Sequence, residues 1–189
     1  MTNIPIYIGP HEVYTSAKLV LQTHLPAALT AYGTAHGYTF KVPKTYWLYE
    51  DIEREWQSPG IGFSISASSV IAVEGMGSKD LAHTLQVLGI MRLPDMVNPA
   101  QTTVKKDLNY YRQGIRDYMD AVGKTLETYM PSPVYQATSY VYRVDIGQAI
   151  GQVYEDQSDG SDFTLALAIE LIAYQRVRAR TPYTVPVPP

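Results

Sequence analysis

From Phe163 to Arg180 the chain reads FTLALAIELIAYQRVRAR, with apolar residues on alternate positions. Phe163, Leu165, Leu167, Ile169 and Leu171 share one parity, and Thr164, Ala168, Glu170, Tyr174, Arg176, Arg178 and Arg180 share the other. Successive side chains of a strand point to opposite faces, so the pattern predicts a half-buried strand with one apolar and one mixed face. At about 3.3 Å per residue, a strand of 18 residues extends roughly 60 Å. A domain of 189 residues has a radius of gyration of roughly 16 Å, hence a diameter of about 40 Å. The strand is therefore expected to bend, to twist strongly, or to run out of its own domain onto a neighbour. The last option points toward an assembly rather than a pocket.

The length suits one domain, expected over 1–180, with a Pro-rich C-terminal arm at 181–189. A net charge of −3 gives no general reason to expect a nucleic-acid partner. No apolar run approaches the length of a membrane span, and Met1–Pro5 lacks the pattern of a signal peptide. The absence of cysteine removes disulfides and thiolate metal sites, and synthesis in the cytoplasm fits. Tyrosine is the outlier, at 16 residues against 3 Phe and 2 Trp. It supplies contact area with a polar handle and is enriched at interfaces; the plainer reading is tyrosines capping the edges of the core.

A first helix is expected from about His11 to Ala35, on Val13, Ala17, Leu21, Leu25, Ala28, Leu29 and Tyr32. Pro26 either kinks it or opens a second helix, and Gly33 and Gly37 are stop signals. Residues 1–10 read as extended, Thr45–Tyr49 as a short strand, and the acidic stretch Glu50–Glu55 as a solvated loop or a single helical turn. Gly60–Val73 reads as a strand, with Ile61, Phe63, Ile65 and Ala67 on one parity and an irregularity near Ser68-Ser69. After a turn at Glu74–Ser78, Leu81–Arg92 alternates again, which makes a hairpin. A helix over the same residues competes, because Leu81, Leu85 and Leu88 fit a helical face. Pro94–Pro99 reads as a linker, Thr102 or Thr103 as the cap of a second long helix to about Tyr129, and Tyr135–Ile150 as a strand with Tyr140, Tyr142, Val144 and Ile146 on one parity. The sum is an α+β domain: a mainly antiparallel sheet with two long helices packed on one face.

The search for chemistry is mostly negative, and neither a catalytic residue nor a cofactor is expected. His11-Glu12 begins like a zinc helix, but Thr15 occupies the second His position. Gly75–Lys79 approaches a phosphate loop, yet Ser78 separates Gly77 from Lys79. No GxSxG elbow is present. His24 and His36 lie 12 residues apart, roughly 120° around a helix, and do not converge. Asp156, Asp159 and Asp162 can be read as an ion site, but a solvated hairpin loop is the stronger reading. No metal site is expected.

Arg176, Arg178 and Arg180 align on one strand face. They suit a rung that meets an acidic protein partner; a solvated face that discourages edge aggregation is the plainer alternative, and nucleic acid the weakest. With Arg143, Tyr174, Pro182 and Pro186 they make up the expected interface set. The Pro-rich end is either an arm laid on a neighbour, with Val185 and Val187 as apolar anchors, or a disordered tail.

One family resembles this order of elements. LPAAL (Leu25–Leu29) leads to VPKTYWLYE (Val42–Glu50); the hairpin GFSISASSVIAVEG to HTLQVLGIMR follows, then the helix NYYRQGIRDYMDAV and a closing strand pair. This texture, over roughly 13–180, is similar to the tail terminator and related head–tail joining (neck) proteins of long-tailed bacteriophages. The resemblance rests on element order and carries no diagnostic motif. It implies a small α+β virion protein, made in the host cytoplasm, that forms a homo-oligomeric ring on the tail tube. It also implies tail-tube and neck or connector proteins as partners, no membrane, and DNA only in passing through the ring lumen. The alternatives are another head–tail connector, head-completion or tail-tube component, or, in a different class, a small-ligand-binding module or enzyme with His83 and tyrosines between the first helix and the sheet.

Overall fold

The computed structural model describes residues 10–48, 59–74, 78–92, 96–97, 108–131, 139–156 and 163–177. Helix α1 spans Pro10–His36 and helix α2 Leu108–Tyr129. The strands are β1 (Thr39–Phe40), β2 (Thr45–Leu48), β3 (Gly60–Glu74), β4 (Ser78–Arg92), β5 (Met96–Val97), β6 (Ser139–Asp156) and β7 (Phe163–Val177). Five strands form one sheet in the order β2-β3-β4-β7-β6, and β1 and β5 form a separate small pair. Every pairing is antiparallel except β2 with β3. The fold is α+β, as the alternation and the two helical patterns predict.

Helix α1 begins on Pro10, whose missing N–H costs nothing in a first turn. It runs through Pro26 as one element rather than two. It ends where Gly37 takes φ 76°, a left-handed conformation that favours glycine. The Tyr38 N–H then donates back to the Gly33 carbonyl at 2.8 Å, closing a Schellman cap. Both glycines expected to stop the helix therefore take part in stopping it.

One face of the sheet is covered. Leu85, Val87 and Met91 of β4 and Leu165, Leu167, Ile169, Leu171 and Ala173 of β7 are buried in one core with Val13, Ala17, Leu21, Leu25 and Leu29 of α1. Ile115, Tyr118, Met119, Val122 and Leu126 of α2 complete it. Each such aliphatic side chain gains about 1.5–3 kcal/mol on leaving water. Tyr14 of α1 meets Phe63 of β3 edge-on, with ring centroids 5.3 Å apart. Helix α2 lies so close to β4 that a Cβ on Gly89 would collide with the Met119 sulfur.

The opposite face pairs Arg176 with Asp80, Tyr174 with Ala82, Ile172 with Thr84, Glu170 with Gln86 and Ala168 with Leu88. No helix among the described residues covers it. Trp47 of β2 lies across Gly60 and Gly62 of β3, where a Cβ on Gly62 would fall 2.8 Å from the indole nitrogen.

Several local expectations need correction. Strand β7 does not run onto a neighbour over its described length: β6 pairs with it from Phe163 to Val177 and β4 from Thr164 to Val177. The parity read for β3 fails after Ile65, because a register shift between Ile65 and Ala67 turns Ala67 outward. That irregularity and a second one between Val70 and Ala72 flank the predicted Ser68-Ser69 position. In β6 a shift between Val141 and Arg143 buries Tyr140, Val141 and Val144 and leaves Tyr142 exposed, so the expected Tyr140–Tyr142–Val144 stripe is broken. The Pro94–Pro99 stretch is not only a linker, since Met96–Val97 pairs with Thr39–Phe40. Helix α2 is described from Leu108; Thr102 and Thr103 lie outside the described residues, as do residues 1–9 and the acidic 50–58 stretch.

Candidate functional site

Arg143, Tyr174 and Arg176 come together on the uncovered face, where β4, β7 and β6 lie side by side. Tyr174 pairs with Arg143 across β6, and Arg176 pairs with Asp80 across β4. The shift in β6 makes Tyr142 an extra residue in the ladder and delivers its ring to the same patch. Its centroid lies 6.1 Å from that of Tyr174 at an interplanar angle of 41°. The Arg143 guanidinium sits 5.2 Å from the Tyr174 centroid, and the Arg176 guanidinium 5.7 Å from that of Tyr142. Four side chains thus alternate as Arg, Tyr, Tyr, Arg, within the range of cation–π attraction.

Both guanidiniums are also held by carboxylates. Arg176 donates through Nε and Nη2 to the two oxygens of Asp80, each at 2.8 Å. Arg143 donates in the same two-pronged way to Asp145 at 2.7 Å. Such paired bonds fix orientation as well as charge. The hydrogen bond from Arg176 holds the Asp80 carboxyl below the usual carboxylate range, against the opposing effect of its burial. Burial, followed by the Asp80 charge, pushes the Tyr142 hydroxyl up. Arg176 therefore finds its acidic partner inside the chain rather than on a neighbour. The patch is aromatic and charge-compensated. Arg178, Arg180, Pro182 and Pro186, the remaining members of the expected interface set, lie outside the described residues.

The sequence reading missed Asp80, Asp145 and Tyr142. Asp145 carried a usable signal, because residues two apart on a strand share a face. Asp80 carried none, since it is 96 positions from Arg176 and meets it only through the β4–β7 register.

His83 lies near the same end of the sheet, on the covered face, and is 1% exposed. Its Nδ1 lies 2.8 Å from the Ser68 hydroxyl and its Nε2 2.8 Å from Gln175 Oε1. With the Gln175 carbonyl toward the ring, Nε2 carries the proton and Nδ1 accepts from Ser68. Burial pulls the His83 pKa below 6.5, with the Gln175 bond opposing, so the ring is neutral near pH 7. The relay joins β3, β4 and β7 and satisfies both nitrogens of a core histidine. On the helices, His24 stacks on Tyr129 with centroids 4.0 Å apart, and His36 Nδ1 lies 3.0 Å from Asp117. Among the described residues no group of acidic or histidine side chains has the arrangement of a metal site, and no helix is long and apolar enough to cross a membrane. Asp156 closes β6, whereas Asp159 and Asp162 fall outside the described residues.

No protein-family model matches the chain, and no curated protein matches it.

Proposed function

We propose that the chain is a non-enzymatic structural protein of a phage virion, a tail terminator that caps the tail tube as a ring of identical copies and joins the tail to the neck. One observation carries this reading: the sheet has two long and different open edges. Among the described residues no strand lies outside β6, and none lies outside β3 beyond Phe63, where the short β2 ends. A closed ring needs two dissimilar complementary surfaces on each copy, and opposite edges of one sheet supply such a pair. The Arg143–Tyr174–Tyr142–Arg176 patch borders the β6 edge and adds the aromatic and guanidinium groups that dominate protein interfaces. The partners in this reading are copies of the chain, the tail-tube protein and the neck, with DNA only passing through the lumen.

Light scattering on the purified chain, followed by negative-stain imaging, tests it; closed rings are expected. Particles made without the protein separate the related virion roles. Heads without tails together with overlong tubes fit a terminator, whereas missing tubes would transfer the protein to the tube itself. A strictly monomeric chain whose removal leaves tube length unchanged would overturn the reading.

A further inference from the structure

The edge of β3 that is open among the described residues is unlike that of β6. From Ser64 to Val73 it reads SISASSVIAV, with no charge and no proline. Val70 and Ile71 are 55% and 50% exposed. Strand edges left open in solution are ordinarily defended by charge, proline or bulges. Strand β6 has Arg143, Asp145 and three register shifts along its length. From Ser64 to Val73 strand β3 has two shifts and no charge, and the run Ala67–Val70 between them is regular. This edge has the chemistry of an acceptor for an added strand.

The chain contains a segment with the matching chemistry. Residues 181–188 read TPYTVPVP. In a strand the N–H and C=O of one residue point to one edge and those of the next to the other. Thr181, Tyr183, Val185 and Val187 share one parity, and all four carry an N–H. Pro182, Pro186 and Pro188 share the other with Thr184, and of these only Thr184 carries an N–H. Such a segment pairs well along one edge and poorly along the other, where three of four positions lack a donor.

A donor from another copy fits the distances best. Val177, the last residue of β7, is level with Lys79 and Val73 in the sheet. The position outside β3 is three strand spacings from Val177, about 14 Å. Residues 178–180, fully extended, reach about 14 Å at most, which leaves no slack. Thr181 meets its own β3 edge only by a fully taut path, whereas a neighbouring copy's arm approaches without that constraint.

We infer that residues 181–188 of one copy add as a one-sided edge strand to the Ser64–Val73 edge of β3 in a neighbouring copy. The inference rests on the reading that copies of the chain assemble, but not on their closing into a ring. Main-chain bonds supply the attachment, as in other strand additions. Val185 and Val187 lie on the paired parity, and the prolines face outward and stop further growth.

The absence of cysteine makes the test clean. One full-length chain has Ile71→Cys or Ser69→Cys, and a second has Val187→Cys or Tyr183→Cys. The two are mixed and oxidised. Mixed disulfides are expected, with loss when Val185→Pro is added to the arm and retention when Pro186→Ala is added instead. Three outcomes would overturn the inference: no mixed disulfide from any pair, equal yields with the two arm variants, or a disulfide only within one chain when both cysteines are placed in the same copy. Imaging the same samples separates the two proposals. Rings without cross-links leave the ring reading standing and remove this one; cross-linked copies without rings do the reverse.

Discussion

His83 is the residue whose setting has the most direct consequence in solution. Its ring is buried between Ser68 and Gln175, and burial lowers its pKa from 6.5. As pH falls, the unfolded chain therefore takes up this proton before the folded chain does. The stabilisation is fully present above pH 6.5 and is lost as pH drops through 6.5 toward the lower folded value. Thermal melts across this range should show a decline in Tm on the acid side of 6.5, and the His83→Gln variant should lack that part of it. An identical profile for the two proteins would mean that the buried ring is not the group that titrates. Asp80 does not confuse the measurement, because its pKa is held below 3.8 and its own contribution disappears only at more acidic pH.

At the scale of elements, β2 is the weakest member of the sheet, with four residues and one neighbour. Its attachment depends on Trp47 lying flat over Gly60 and Gly62, where any Cβ would intrude on the indole. Gly62→Val should lift Trp47 from the sheet, costing about 1–3 kcal/mol. The fluorescence of Trp47, isolated by Trp56→Phe in both proteins, should shift to the red. An unchanged spectrum would show that the indole has another support. The same element-level view explains how much could be read in advance. Strand β7 was legible because its alternation continues without a break and every odd position from Leu165 to Gln175 is buried. Helix α2 was legible because its apolar spacing holds for five turns. In β3 and β6 the parity reading failed at backbone shifts, where one inserted residue reverses the faces without any mark in composition. Which strands lie at the edges, and hence where copies could meet, depends on pairings between residues far apart in sequence. For that reason the acidic partner of Arg176 and the company of Tyr142 were not visible.

For the whole molecule, the two arginines of the exposed patch make unequal probes of assembly. Arg176 is two-thirds buried at its side chain and bound to a carboxylate that is almost wholly buried. Reversing its charge would damage the fold along with any contact. Arg143 is 63% exposed and separates the two effects. Arg143→Glu should leave thermal stability within about 1 kcal/mol, as exposed ion pairs do, while shifting the oligomer distribution seen by light scattering toward smaller species. A variant that assembles like the parent would place the contact elsewhere on the molecule. The position of β7 has a further consequence, for the order of events during synthesis. Of the described strands, the one that joins β4 to β6 comes last in sequence, and its partners in β4 lie about 70 to 100 residues earlier in the chain. At roughly 5–20 residues per second, the β3–β4 hairpin waits several seconds for it. Pairings this distant make folding slow. A polypeptide cut short before Phe163 lacks the strand that joins β4 to β6, so incomplete products are left without the frame that an ordered assembly would need.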